Sequence, residues 1–343
     1  MPTEKSTNVR TNGGVPPAPA WVRLGLRALD AALPPAAAWV GERLFLTPPR
    51  HQTPNRERAA IASAEAFDVP FRGGRLRAWR WGGAGAPVLL VHGWGGRGGQ
   101  LAPFAPPLVE AGLPVVTFDG PGHGASSGWL SSAPDFAQAI RALAARLGGL
   151  RAVVAHSMGA PATVLALRDG LSIEAAVFVG PSVGPRGFLG LFGQALGLSD
   201  RTRRAVAGRL EARFGPFEEF DVRTEAAAMK LPLLVVHDRQ DAEVGVGEGE
   251  SIARAWPGAE LALTEGLGHR RVLRDPRVVA RVTGFVARAL RASEPFPRLV
   301  SSRCATPGCA GRVCPSWHEG SHCPSCALSA DLFDRSARQA LLA

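Results

Sequence analysis

A chain of 343 residues with 46% hydrophobic and 20% charged residues can bury a sizeable core, which excludes a disordered or fibrous protein. The net charge of +10 comes almost wholly from scattered arginines, because Lys5 and Lys230 are the only lysines. No tight basic run with interleaved aromatics occurs, so nucleic-acid binding is not expected.

Residues 1–20 are polar and rich in Pro and Gly, the composition of a disordered segment. The N-terminus lacks the basic start and apolar core of a secretory signal. No run of about 20 apolar residues predicts a transmembrane helix, and a cytoplasmic protein is expected. Residues 21–65 read as an N-terminal helical segment. Leu24, Leu26, Leu29 and Leu33 recur near helical spacing until Pro34-Pro35 interrupts them. One or two short helices follow from this, packed on the main domain or on a partner rather than anchored at a membrane surface.

From residue 66 the pattern becomes strand-like. Phe67-Asp68-Val69-Pro70-Phe71, then Gly73-Gly74, then Leu76 to Trp81 predicts a hairpin. Pro87-Val88-Leu89-Leu90-Val91 is a short continuous apolar run, which suits a parallel strand covered on both faces. Residues 114–118, 152–155, 175–179, 233–236 and 261–263 repeat the theme. Between them lie helical stretches, such as Phe136, Ile140, Leu143 and Leu147 on one face after Pro134-Asp135. Asp275-Pro276 opens another, carrying Val278, Val282, Phe285 and Val286. Alternating strands and helices predict an α/β domain over 66–295 with a doubly wound, mainly parallel sheet.

Residues 181–230 break the rhythm with a Gly- and Pro-containing opening and helix-like stretches at 201–214 and 225–229. An insertion there lies over the carboxyl ends of the strands, where such sheets bind ligands, and reads as a small helical cap. Its Phe188, Leu189, Leu191, Phe192, Leu196 and Leu198 suit an acyl chain or other hydrophobic group. Packing of the cap on the domain explains them equally well.

Ala155-His156-Ser157-Met158-Gly159 sits between an apolar run and a helix-like run, the pattern of a nucleophile elbow. A serine nucleophile needs a base, a group that orients the base, and donors for an oxyanion. Behind such an elbow the acid and then the base follow the serine along the chain. His237 directly follows an apolar strand with no acid-bearing strand before it, whereas His269 sits in the Gly-rich loop Glu265-Gly266-Leu267-Gly268-His269 and is the natural base. Asp238 begins the turn after residues 233–236 and suits a capping role, so Asp241 is the expected acid. The oxyanion donors are the N–H of Met158, at the start of a helix, and that of Trp94 in His92-Gly93-Trp94-Gly95-Gly96. His92 is then structural and fixes that loop.

Five motifs in order carry a resemblance: Val91-His92-Gly93-Trp94, Asp119-Gly120-Pro121-Gly122-His123-Gly124-Ala125-Ser126, the elbow at 155–159, His237-Asp238-Arg239-Gln240-Asp241 and Gly266-Leu267-Gly268-His269. Over about residues 66–291 the chain resembles the α/β-hydrolase superfamily, close to its serine esterase, lipase and acyl-hydrolase branch. The second motif borders the site in that family without joining the chemistry. The first elbow residue is Ala155 where a glycine is usual, and one methyl group there is tolerable. The resemblance implies a serine hydrolase that cleaves an ester or related acyl bond of a small molecule through Ser157, His269, Asp241 and an acyl-enzyme. An acyltransferase on the same scaffold and a non-catalytic binding protein of this fold are the alternatives.

All five cysteines fall within residues 304–326. An odd number without an export signal argues against a disulfide framework. Cys304 and Cys309, then Cys323 and Cys326, form two pairs that suit a zinc-ribbon-like module over 300–343, with Zn2+ in a structural role. Cys314, His318 and His322 are alternative ligands. A protein partner through this tail is a further expectation. No cofactor is expected for catalysis.

Overall fold

The computed structural model of the protein describes residues 17–293 and, beyond them, two strands of two residues each. The chain divides into two units, Met1–Arg291 and Ala292–Ala343. In the second unit β9 (Ser301–Ser302) pairs antiparallel with β10 (Cys314–Pro315), and Ser302 faces Cys314. Cys304, Cys309, Cys323 and Cys326 lie outside the described residues, so the expected zinc site does too. Residues 1–16, most of the segment whose composition suggests disorder, also lie outside them.

The first unit opens with α1 (Ala20–Ala32), α2 (Pro34–Leu46) and α3 (Asn55–Ile61). The break between α1 and α2 falls at Leu33, because Pro34 and Pro35 cannot continue the α1 ladder but fit the first turn of a new helix. The hairpin follows as β1 (Glu65–Phe71) and β2 (Gly74–Trp81). Next come β3 (Val88–Val91), α4 (Ala105–Glu110), β4 (Val115–Phe118), α5 (Ala133–Leu147), β5 (Ala152–His156), α6 (Gly159–Arg168) and β6 (Ala175–Val179). The insertion carries α7 (Pro185–Leu196), α8 (Asp200–Phe214), a 3-10 turn at Phe217–Phe220 and α9 (Val222–Ala226). The chain then re-enters the sheet with β7 (Leu233–Asp238), followed by α10 (Val246–Ala255), β8 (Glu260–Thr264), α11 (Gly268–Arg271) and α12 (Pro276–Ser293).

The eight strands are ordered β1-β2-β4-β3-β5-β6-β7-β8. β1, β2 and β4 pair antiparallel at one edge, and every other pairing is parallel. This is the expected doubly wound sheet with an antiparallel edge. Leu89 shows why the short apolar runs are strands: it pairs with Val116 on one side and Val153 on the other, and all three side chains are fully buried. Helix α5 starts where its cap says it should. The Ser132 Oγ accepts the Asp135 N–H at 3.3 Å and donates to the Asp135 carboxylate at 2.6 Å.

The N-terminal helices are fastened to the insertion. The Ala18 N–H donates to the Ala195 carbonyl at 2.9 Å. The Thr202 hydroxyl donates to Asp30, and Arg209 Nε donates to Glu42 at 2.6 Å. Val206 closes on Gly41, where a Cβ would come within 2.8 Å of its methyl group. Among the described residues no helix is long and apolar enough to cross a membrane.

Candidate active site

Ser157 stands between β5 and α6 at φ 53°, a left-handed conformation rare for a residue with a side chain. Such strain costs on the order of 1–3 kcal/mol and is kept only where the surroundings fix it. Here the Ser157 N–H donates to the Val179 carbonyl of β6 at 3.1 Å, and its carbonyl accepts the Ala160 N–H at 3.0 Å. Ala155 is fully buried in β5. Gly93 makes the close approach on the other side: a Cβ there would meet the Ser157 Cβ at 2.7 Å.

Four of the five expected site residues line one cavity, and the fifth, Asp241, reaches it only through its contact with His269. Asp241 and His269 meet directly, with Asp241 Oδ2 at 2.7 Å from His269 Nδ1. Ser157, Trp94 and Met158 join His269 in lining a cavity of about 930 Å³. Among the described residues, neither the Trp94 nor the Met158 N–H is engaged in a hydrogen bond.

Asp241 is held by its own loop. Its Oδ1 accepts the N–H groups of Glu243 and Val244, each at 2.9 Å. Burial pushes this carboxyl up, but hydrogen bonds from His237, His269 and the Val244 N–H outweigh that and hold it well below the usual carboxylate range. Asp238, three residues earlier, does other work. Its Oδ2 accepts the Thr264 hydroxyl at 2.8 Å and the Leu267 N–H at 3.0 Å, which pins the loop that presents His269. His237 is fully buried and donates from Nε2 to the Val244 carbonyl at 3.0 Å, with Asp241 Oδ2 at 3.5 Å from the same nitrogen. Asp241 therefore lies between two imidazoles, and only His269 lines the cavity.

Two further histidines lock the loops around Gly93. His92 Nε2 accepts the Gly120 N–H at 2.8 Å, so Nδ1 carries the proton and donates to the Gly93 carbonyl at 2.7 Å. His123 does the same from the facing loop: Nε2 accepts the Gly95 N–H at 3.1 Å and Nδ1 donates to the Pro121 carbonyl at 2.8 Å. Burial keeps both rings neutral, pulling His92 well below its ordinary value and His123 down to about 4. His156 donates from Nε2 to the His269 carbonyl at 3.0 Å, and the two rings sit 4.5 Å apart. Burial keeps His156 neutral as well.

The structure adds residues that the sequence did not single out. Phe45 of α2 lines the cavity and packs on Phe188 and Phe192 of α7, with ring centroids at 5.7 and 5.3 Å. Leu44, Leu46 and Pro49 line it too, so a stretch before the first strand forms part of the wall. Glu248 of α10 lines it as well and accepts the Val183 N–H at 2.7 Å where the chain enters α7. Burial raises this carboxyl above its ordinary value. Helical spacing exposes neither role, since both depend on where distant elements dock.

Residues 86–236 match the family model described as the alpha/beta hydrolase fold. A "Serine hydrolase-like protein" of Danio rerio is 34% identical over 116 residues, which is 32% of this chain and 34% of that protein. The chain thus spans about a third of that relative. An esterase of Pyrococcus furiosus, Pf2001, superposes with a TM-score of 0.54 at 19% identity, covering 72% of this chain and 99% of its own. Est816, described as an N-acyl homoserine lactone degrading enzyme, superposes at 0.52 and 19% identity, covering 64% of this chain and 99% of its own. Sheet order, the elbow at Ser157 and these likenesses together establish that this chain has the α/β-hydrolase fold.

Proposed function

We propose that the protein is a serine hydrolase that cleaves a carboxylic ester or related acyl bond of a small molecule. The observation that carries this reading is the 2.7 Å contact between Asp241 and His269, whose ring lines the same cavity as the strained Ser157. Asp241 accepts the Nδ1–H, which leaves the His269 Nε2 lone pair to take the Ser157 proton as Oγ attacks the acyl carbon. The tetrahedral oxyanion is held by the N–H groups of Trp94 and Met158, which have no other partner among the described residues. Collapse expels the alcohol, protonated by the imidazolium, and leaves an acyl-serine. Water then attacks under the same base and releases the acid.

The fixed carboxylate supports this role, because Asp241 stays ionised and faces the ring that must become cationic. The large apolar part of the wall, with Phe45, Phe188, Phe192, Phe214, Phe217 and Leu191, suits a hydrophobic acyl group. A fluorophosphonate probe tests the reading. It should label the wild type and leave Ser157→Ala unlabelled, and a folded wild type that resists labelling overturns the proposal in favour of a binding protein.

A further inference from the structure

Five of the seven large apolar side chains exposed among the described residues lie on the α1–α2 pair: Trp21, Leu24, Leu33, Trp39 and Leu44. Trp21 is 77% and Leu24 65% exposed. The opposite face of the pair is already used, with Leu26, Ala38 and Leu46 buried in the core. The pair is therefore apolar on both sides. A helix of that kind belongs in a core, in a membrane or at an interface. Each helix has 13 residues, short of the roughly 20 that span a bilayer.

Charge on the pair is sorted by direction. Its two acids point inward: Asp30 accepts the Thr202 hydroxyl, and Glu42, 4% exposed, meets Arg209. Its exposed charges are Arg27 and Arg43, with Arg23 half-buried on the same pair. The Arg43 guanidinium lies 5.5 Å over the Trp39 ring. A second such pair follows in the chain, where Arg50, between the wall residues Pro49 and His51, lies 4.7 Å over Trp129, a side chain 74% exposed. Tryptophan and arginine side by side suit the headgroup level of a bilayer, and outward cations without outward carboxylates suit an anionic one.

We propose that this face docks the protein onto an anionic lipid surface. Leu44 belongs both to the exposed face and to the cavity wall, so docking brings that edge of the cavity to the lipid. The surface is separate from the Ser157 apparatus, and the proposal stands or falls independently of the hydrolase reading.

Sedimentation of the full chain with phosphatidylcholine vesicles, with and without phosphatidylglycerol, tests it. The wild type should sediment with the phosphatidylglycerol vesicles and be released by added salt. The triple variant Trp21→Ser/Leu24→Ser/Trp39→Ser should bind at least about tenfold more weakly. Arg27→Gln/Arg43→Gln should lose roughly tenfold or more on the anionic vesicles alone. Unchanged circular dichroism would show that these exposed substitutions leave the fold intact. A wild type that stays in the supernatant with both vesicles overturns the proposal, and so does a triple variant that sediments like wild type. Dimerisation that the triple variant abolishes, without vesicle binding, assigns the face to a second copy of the chain instead.

Discussion

One oxygen of the Asp241 carboxylate lies 2.7 Å from His269 Nδ1, while the other is held by the N–H groups of Glu243 and Val244. The carboxylate is thus fixed by its own loop on one oxygen and meets the ring with the other. Asp241→Asn keeps the shape and removes the charge. It should lower kcat on a short p-nitrophenyl ester by roughly 10³–10⁴-fold with KM little changed. Steady-state kinetics at neutral pH would measure this, and an unaltered kcat removes Asp241 from the mechanism.

Gly180 follows β6 at φ 53°, and a Cβ there would lie 3.3 Å from both Asp241 Oδ2 and His269 Nδ1. Gly180→Ala should therefore push this pair apart and strain the backbone. We expect kcat to fall by up to about 10²-fold, the cost of a small misplacement of catalytic groups. Equal rates for variant and wild type would show that the pair tolerates displacement.

The parallel strands are legible because burial on both faces makes short apolar runs, as at Leu89 and Val153. The order of Ser157, Asp241 and His269 is legible because each sits just after a strand, where the fold gathers loops. The sequence also favours Asp241 over Asp238, and the geometry gives them distinct partners: His269 for one, the Leu267 N–H for the other. What stays hidden depends on docking between remote segments. The clasp of His92 on Gly120 joins residues 28 positions apart, and Phe45 reaches the cavity on α2, which Glu42 and Arg209 help tie to α8. The tail cysteines other than Cys314 lie outside the described residues.

Phe45 closes against Phe188 and Phe192 in the cavity wall. Phe45→Ala removes a large ring from that wall and should shift preference toward longer acyl chains. Against a panel of p-nitrophenyl esters, the ratio of kcat/KM between long and short chains should rise by roughly 10-fold or more, as pocket contacts of this size are worth about 1–3 kcal/mol. A panel profile identical to wild type would place the acyl chain elsewhere.

His123 should make the fold acid-sensitive. Its folded value lies at about 4 against an ordinary 6.5, so between those limits the unfolded chain takes up a proton that the folded chain refuses. The ring's neutral form supports stability fully above pH 6.5, and that support is lost as pH falls toward 4. The loss amounts to about 3 kcal/mol, to order of magnitude. Urea midpoints at pH 7 and at mildly acid pH would measure it, and His123→Gln should reduce the difference while leaving the part due to His92 and His156. Identical pH dependence in the variant would count against the assignment.

Metal analysis decides the tail. The purified protein should carry about one zinc per chain if Cys304, Cys309, Cys323 and Cys326 form a tetrahedral site, and Cys323→Ser should lose it. A wild type free of metal removes zinc from the tail.

Leu44, Phe45, Leu46 and Pro49 form part of the cavity wall, yet they precede the region, residues 86–236, that matches the family model. The matched region and part of the cavity wall thus come from separate stretches of the chain. Change in that part of the wall can proceed without touching the matched region. Likeness over residues 86–236 speaks for a shared fold, while part of the cavity wall is written some forty residues upstream.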